Sequence, residues 1–131
     1  MELENVGEVI RTAMSYERSR AEVASYNMAM ANVAVSPGQA SPLLQVAPPS
    51  AFAQRLGALP ATVEPRLDAE ERLVHEPANP LADQNGMVHY PRVEVANEMA
   101  TLVSATRSYE ANIRAYNSLR AMTLNAFEIG K

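Results

Sequence analysis

Two stretches of this chain repeat apolar positions at helical spacing without a proline, and they enclose a middle with neither property. In the first stretch Leu3, Gly7, Ile10, Met14, Glu17, Ala21, Ala24, Met28 and Ala31 alternate spacings of four and three. This is a heptad seam in which only Gly7 and Glu17 break the pattern. It predicts one helix from Leu3 to Asn32, roughly 45 Å long, ended by Ser36-Pro37-Gly38. In the last stretch Val95, Met99, Leu102, Thr106, Tyr109, Ile113 and Tyr116 repeat the alternation, and Leu119, Leu124 and Phe127 continue it after a phase shift. A second helix of about 50 Å follows, with Glu94 and Glu98 suited to the positive end of its macrodipole and Gly130 to a C-terminal cap.

A lone helix cannot bury such a stripe in water, so the two pair with each other or with other chains. The expected fold is mainly α, with two long N- and C-terminal helices paired as an antiparallel coiled coil. Residues 1–36 and 92–131 would form one core unit. The seams are rich in Ala and Met, which supply modest apolar area at roughly 25 cal/mol per Å². The isolated chain is therefore expected to be marginally stable and the assembled one stable.

All nine prolines fall between Pro37 and Pro91. Pro48-Pro49, Pro60 and Pro65 leave no room for a long element, so residues 37–72 read as a flexible connector. From 73 to 91 the pattern changes. Leu73-Val74-His75-Glu76 and Met87-Val88-His89-Tyr90 are strand-like, Asn85-Gly86 is a turn signal, and Pro77 and Pro80 confine the element to an edge or loop, which predicts a small β-hairpin.

The 131 residues and a net charge of −4 argue for one compact or elongated module and against binding nucleic acid or an anionic membrane surface. The absence of cysteine excludes disulfides, thiolate metal sites and thiol nucleophiles. No run of apolar residues is long enough to span a bilayer. The N-terminus, with Glu2, Glu4 and Glu8, lacks the basic stretch and apolar core of a cleavable signal, so export is expected to use another route.

Candidate chemistry is sparse. His75 and His89 could face each other across the hairpin with Asp83 or Glu76 nearby, but they lack a fixed metal-ligand spacing. Asp83-Gln84-Asn85-Gly86 departs from a calcium loop, because Met87 occupies a ligand position and the glycine comes too early, so it reads as a turn. Glu70 and Glu71 are adjacent and point apart. No nucleophile elbow or phosphate-binding glycine loop is present. No catalytic residue, cofactor or metal is expected, which leaves a structural subunit or a helical-hairpin adaptor that binds one partner.

The run from Pro77 to Val93 resembles the P-x-H-P-x-A-x-x-x-G-Y-V-x-Y-P-N-V signature of bacterial flagellar rod proteins. It has the same spacing, with Asn79, Met87 and Arg92 in place of the His, Tyr and Asn. Glu98-Met99, Ala105, Arg107-Ser108-Tyr109 and Ala111-Asn112 resemble the E-M … A-x-R-S-Y-x-A-N run of that family's C-terminal helix. Ala13-Met14, Arg20, Val23, Asn27 and Ala29 resemble its N-terminal helix more loosely, with Met30 in place of the second Asn of the N-x-A-N motif. The resemblance covers residues 6–32 and 73–130.

It implies a non-enzymatic subunit of the proximal rod, exported through the flagellar type III apparatus without a cleaved signal. Such a subunit assembles in the periplasm with copies of itself and other rod proteins, passing motor torque. It binds no nucleic acid and does not insert in the membrane. The residues expected to lock helix pairing and subunit contacts are Met14, Arg20, Asn27, Met28, Glu98, Met99, Leu102, Arg107, Tyr109, Ala111, Asn112, Ile113 and Tyr116.

Overall fold

The computed structural model describes residues 2–47 and 61–129. Pro48-Pro49, Pro60, the cap expected at Gly130 and the side chain of Leu3 lie outside the described residues. The elements in chain order are α1 (Glu2–Met30), β1 (Leu44–Val46), β2 (Val63–Pro65), β3 (Glu71–His75), β4 (Met87–Pro91) and α2 (Val95–Ile129). Two helices of 29 and 35 residues thus flank a small β region.

Helix α1 stops at Met30, short of the expected Asn32 and well before Pro37. Its last turn tightens, with Ala31 N–H donating to Met28 O at 3.3 Å and Val33 N–H to Met30 O at 3.0 Å. Val35 N–H then donates to His89 O at 2.8 Å, so pairing with β4 rather than a proline directs the chain away from the helix. Helix α2 starts where Glu94 O accepts from Asn97 N–H at 2.9 Å and Glu98 N–H at 3.1 Å.

Strands β3 and β4 pair antiparallel, as the expected hairpin requires, with Leu73 opposite His89 and His75 opposite Met87, so the two histidines do not face each other. Between them the chain makes consecutive turns. Asp83 Oδ1 accepts from Asn85 N–H at 2.8 Å and Met87 N–H at 2.9 Å. Gly86 closes the loop at φ 73°, a left-handed conformation that side chains disfavour. The Pro77 Cβ lies 3.1 Å from where a Gly86 Cβ would stand, so a side chain there would also be crowded.

Strands β1 and β2 are a second antiparallel pair, with Gln45 opposite Glu64, inside the segment expected to be a plain connector. Three residues per strand are too few for a period-two signal to show in sequence. Their placement comes from tertiary contacts instead: Leu43 is fully buried, and the backbone of Leu44 is held by a side chain from α1.

The helices make the most extensive contact among the described elements. Asn27 near the end of α1 meets Glu98 at the start of α2, and Gly7 at the start of α1 lies against Tyr116 and Leu119 far along α2. The buried apolar residues Val23, Ala24, Leu43 and Ala105 gather toward the β1–β2 end of the pair, with Val88 in β4. Most of the remaining helix length is half-buried or exposed.

The seam of α1 follows the predicted spacing, except that Val23 and Asn27, each one residue before a predicted position, are buried as well. Gly7 and Ala24 are buried, and Ile10, Met14, Glu17, Ala21, Met28 and Ala31 are half-buried. Gly7, off pattern in sequence, lies beside the Tyr116 ring and Leu119, which a Cβ there would meet at ordinary contact distances of 3.9 and 3.8 Å. The seam of α2 is displaced by one residue from the predicted one between Glu98 and Asn112, and the predicted positions Val95, Leu124 and Phe127 are exposed. Glu98, Ala105 and Asn112 turn inward in place of Met99, Thr106 and Ile113, while Leu102, Tyr109, Tyr116 and Leu119 keep their places. The apolar template missed this because two of the three inward residues are polar and the third is small. Thr106 sits outside, its hydroxyl donating to Leu102 O at 2.8 Å.

Candidate functional site at the helix junction

Asn27 is fully buried and is the hub of a polar junction. Its Nδ2 donates to Leu44 O at 2.9 Å and to Glu98 Oε1 at 3.3 Å, and its Oδ1 accepts from Leu44 N–H at 2.9 Å. Arg66, just after β2, donates from Nη2 to the same Glu98 oxygen at 3.0 Å. One carboxylate oxygen thus joins both helices to the β1–β2 pair. Glu98 is only 8% exposed, a burial that a carboxylate tolerates when a guanidinium and an amide satisfy it. Beside the junction a cleft of about 470 Å³ is lined by Tyr16, Arg20, Gln45, Arg66, Glu94 and Glu98 among others.

The structure brings Asn27 and Glu98 together and sets the other expected residues around them in two groups. Met14, Arg20, Met28, Leu102, Tyr109, Asn112 and Tyr116 are half-buried. Arg20 pairs with Glu17 at 2.7 Å and its guanidinium lies 5.9 Å from the Tyr16 ring centroid. Met99, Arg107, Ala111 and Ile113 face outward, with Met99 55% exposed. Sequence reasoning missed Arg66, Leu43 and the Leu44 backbone, which lie in a segment with no recognisable pattern. Ala105, fully buried, carried a signal in the A-x-R-S-Y run but no size to mark it as core.

The hairpin residues weighed as metal ligands do not converge. His89 Nδ1 lies 2.6 Å from Glu71 Oε2, and its Nε2 lies 3.7 Å from Asp83 Oδ2. Glu76 instead accepts from Asn79 Nδ2 at 2.9 Å and from the Tyr90 hydroxyl at 3.2 Å. Among the described residues no group of three or more His, Asp or Glu side chains could hold a metal ion. The hydrogen bond to Glu71 raises the His89 pKa against partial burial, with a smaller push from Asp83. Asp83 is held below the ordinary carboxylate range, chiefly by the Met87 N–H, while partial burial opposes the shift. Burial first, and then the Glu76 carboxylate, raises the Tyr90 pKa.

The flagellar basal body rod FlgEFG protein C-terminal family matches residues 84–128, from the end of the hairpin loop through most of α2. Along its full length the chain is 37% identical over 134 aligned positions to the flagellar basal-body rod protein FlgC of Salmonella typhimurium, with 100% of both chains covered. The chain belongs to the FlgC family of flagellar basal-body rod proteins. The family's member in Yersinia enterocolitica is 34% identical over 134 positions, again with both chains fully covered. That of Bacillus subtilis is 47% identical over 64 residues, 49% of this chain and 43% of that protein. FlgC-family membership makes the chain a structural subunit of the flagellar basal-body rod and does not favour the adaptor reading. Glu98 lies inside the matched C-terminal region, whereas Asn27 and Arg66 lie outside it.

Proposed function

We propose that the chain polymerises in the proximal part of the rod through its terminal helices, which pair antiparallel as a coiled-coil core and pass motor torque through many helix contacts in parallel. Antiparallel pairing is supported by Asn27 meeting Glu98 at one end and Gly7 lying against Tyr116 and Leu119 at the other. Residues 1–36 and 92–131 then act as one core unit, with 73–91 as an appended contact element. Asn27, Glu98, Met14, Arg20, Met28, Leu102, Tyr109, Asn112 and Tyr116 set the pairing. Met99, Arg107, Ala111 and Ile113 meet neighbouring subunits.

The observation that carries this reading is the uncovered outer face of α2. Val95, Met99 and Val103 recur at spacings of four with Met99 and Val103 55% and 51% exposed, and Phe127 near the far end is 71% exposed. A helix pair that leaves such a row in water has a partner to cover it. Head-to-tail contacts that do not close build a filament. Export through the flagellar type III apparatus without a cleaved signal, and residence in a rod spanning the periplasm, belong to the same reading. So does a role without catalysis, cofactor, nucleic acid or membrane insertion. No described helix is long and apolar enough to cross a membrane.

Met99→Asp and Val103→Asp test it, because both positions are exposed and a charge there leaves the helix pair intact. Each variant is expected to retain wild-type helical circular dichroism while abolishing swimming and rod completion in electron micrographs of basal bodies. Normal motility in both variants would overturn the proposal.

A further inference from the structure

Three separate parts of the chain meet at His89. On β3, Glu71 Oε2 lies 2.6 Å from its Nδ1. In the turn, Asp83 Oδ2 lies 3.7 Å from its Nε2. From the segment leaving α1, Val35 N–H donates to its carbonyl oxygen at 2.8 Å. The Nε2 atom is enclosed and has no hydrogen-bond partner, since 3.7 Å is beyond hydrogen-bond reach. Asp83 cannot swing away freely, because its other oxygen accepts the N–H groups of Asn85 and Met87.

A neutral imidazole has one N–H and cannot serve this arrangement. With the proton on Nδ1, Glu71 is satisfied, but an enclosed lone pair on Nε2 faces the Asp83 carboxylate. With the proton on Nε2, a lone pair faces Glu71 at 2.6 Å, which is worse. Only the imidazolium donates to Glu71 from Nδ1 while setting a positive charge, rather than a lone pair, 3.7 Å from the Asp83 carboxylate. We propose that protonated His89 is a clamp that ties both arms of the β3–β4 hairpin to the chain leaving α1, holding this unit in mildly acidic to neutral medium and loosening it in alkaline medium.

The charged groups facing His89 are Glu71 from β3 and Asp83 from the turn, while Val33, Ala34, Val35 and Ser36 bring no charge. His75 shares that hairpin face but lies against Gly86 at the turn. Arg72 and Glu76 turn to Tyr90, the guanidinium lying 5.1 Å from the ring centroid and the carboxylate accepting from the hydroxyl. The His89 pKa is raised in the folded chain, so its contribution is complete below about 6.5 and disappears as pH rises through the folded value. The Asp83 pKa is lowered, so its contribution is complete above about 3.9 and disappears as pH falls through the folded value. The clamp therefore works between the ionisation of Asp83 and the deprotonation of His89.

Residue-resolved nuclear magnetic resonance of the full chain tests this between pH 5 and 9.5. The His89 ring is expected to titrate with a midpoint above about 6.5, and the Val35 amide signal is expected to move with the same midpoint. Exchange of the Val35 amide, corrected for its intrinsic rate, should rise at least about five-fold across that midpoint, about 1 kcal/mol of local opening. Glu71→Gln and Asp83→Asn should each lower the midpoint, Glu71→Gln more. His89→Gln should remove the pH step at Val35, and His75→Gln should leave it. A His89 midpoint at or below the ordinary value, a Val35 amide that ignores the titration, or a step persisting in His89→Gln overturns the proposal. Should His89→Gln unfold the hairpin, Glu71→Gln, at a more exposed residue, decides by the same readout. The clamp concerns the hairpin alone and stands or falls separately from assembly through the helices.

Discussion

Replacing Asn27 with alanine removes three hydrogen bonds at once: two to the Leu44 backbone and one to Glu98. A net intramolecular hydrogen bond is worth about 1 kcal/mol, and a buried group left unpaired costs about 1–3 kcal/mol. Leu44 is half-buried, so water reaches part of its backbone, and Glu98 keeps Arg66 as a partner. The sum is therefore discounted to about 3 kcal/mol rather than the maximum. In urea denaturation followed by helical circular dichroism, a slope of about 2 kcal/mol per M turns this into a midpoint lower by about 1.5 M. Asn27→Asp should be worse, since it still accepts the Leu44 N–H but aims a carboxylate at Glu98 and at the Leu44 carbonyl. The comparator is Arg18→Ala, which breaks an exposed i,i+4 pair of the kind that adds little to stability in water. If Asn27→Ala costs no more than that comparator, the amide is not what holds the helices to β1–β2, and the reasoning fails.

Gly86→Ala should destabilise the chain by more than about 1 kcal/mol, because a left-handed φ alone costs about that much and the new Cβ also crowds Pro77 at 3.1 Å. Gly38→Ala, at φ 78° with open space around it, should show only the backbone part, and equal thermal shifts for the two would refute the role given to Pro77. Gly7→Ala should raise the melting temperature. Its Cβ would sit at an ordinary 3.8 Å from Leu119, and alanine gains up to about 1 kcal/mol over glycine within a helix. Gly7→Leu should lower it by separating the helices, so a Leu variant as stable as the Ala variant would show that no close approach exists there. Tyr109→Asp puts a charge in the half-buried seam and should abolish swimming while the protein is still synthesised, as read by motility agar and immunoblot.

The sequence by itself determined what depends on neighbours along the chain. Alternating spacings of three and four placed both helices, short strand-like runs between prolines placed β3 and β4, and Asn85-Gly86 marked the turn. Each of these follows from backbone geometry and from which side of an element is apolar, so each is local. The long-range features were decided only by the tertiary structure. The seam of α2 lies one residue from its apolar stripe because Glu98 finds Asn27 and Arg66, partners far away in sequence, and burying a satisfied carboxylate frees Met99 to face outward. Strands β1 and β2 exist because Asn27 holds the Leu44 backbone and Leu43 is buried, not because three-residue runs favour a strand. His89 reads in sequence as a partner of His75 with Asp83 or Glu76 nearby, and the structure keeps only Asp83 beside it, adding Glu71 from β3 and the exit from α1. Hydrophobic period is written along the chain, but a buried polar group must be satisfied by whatever the fold brings to it, and no local pattern encodes that partner.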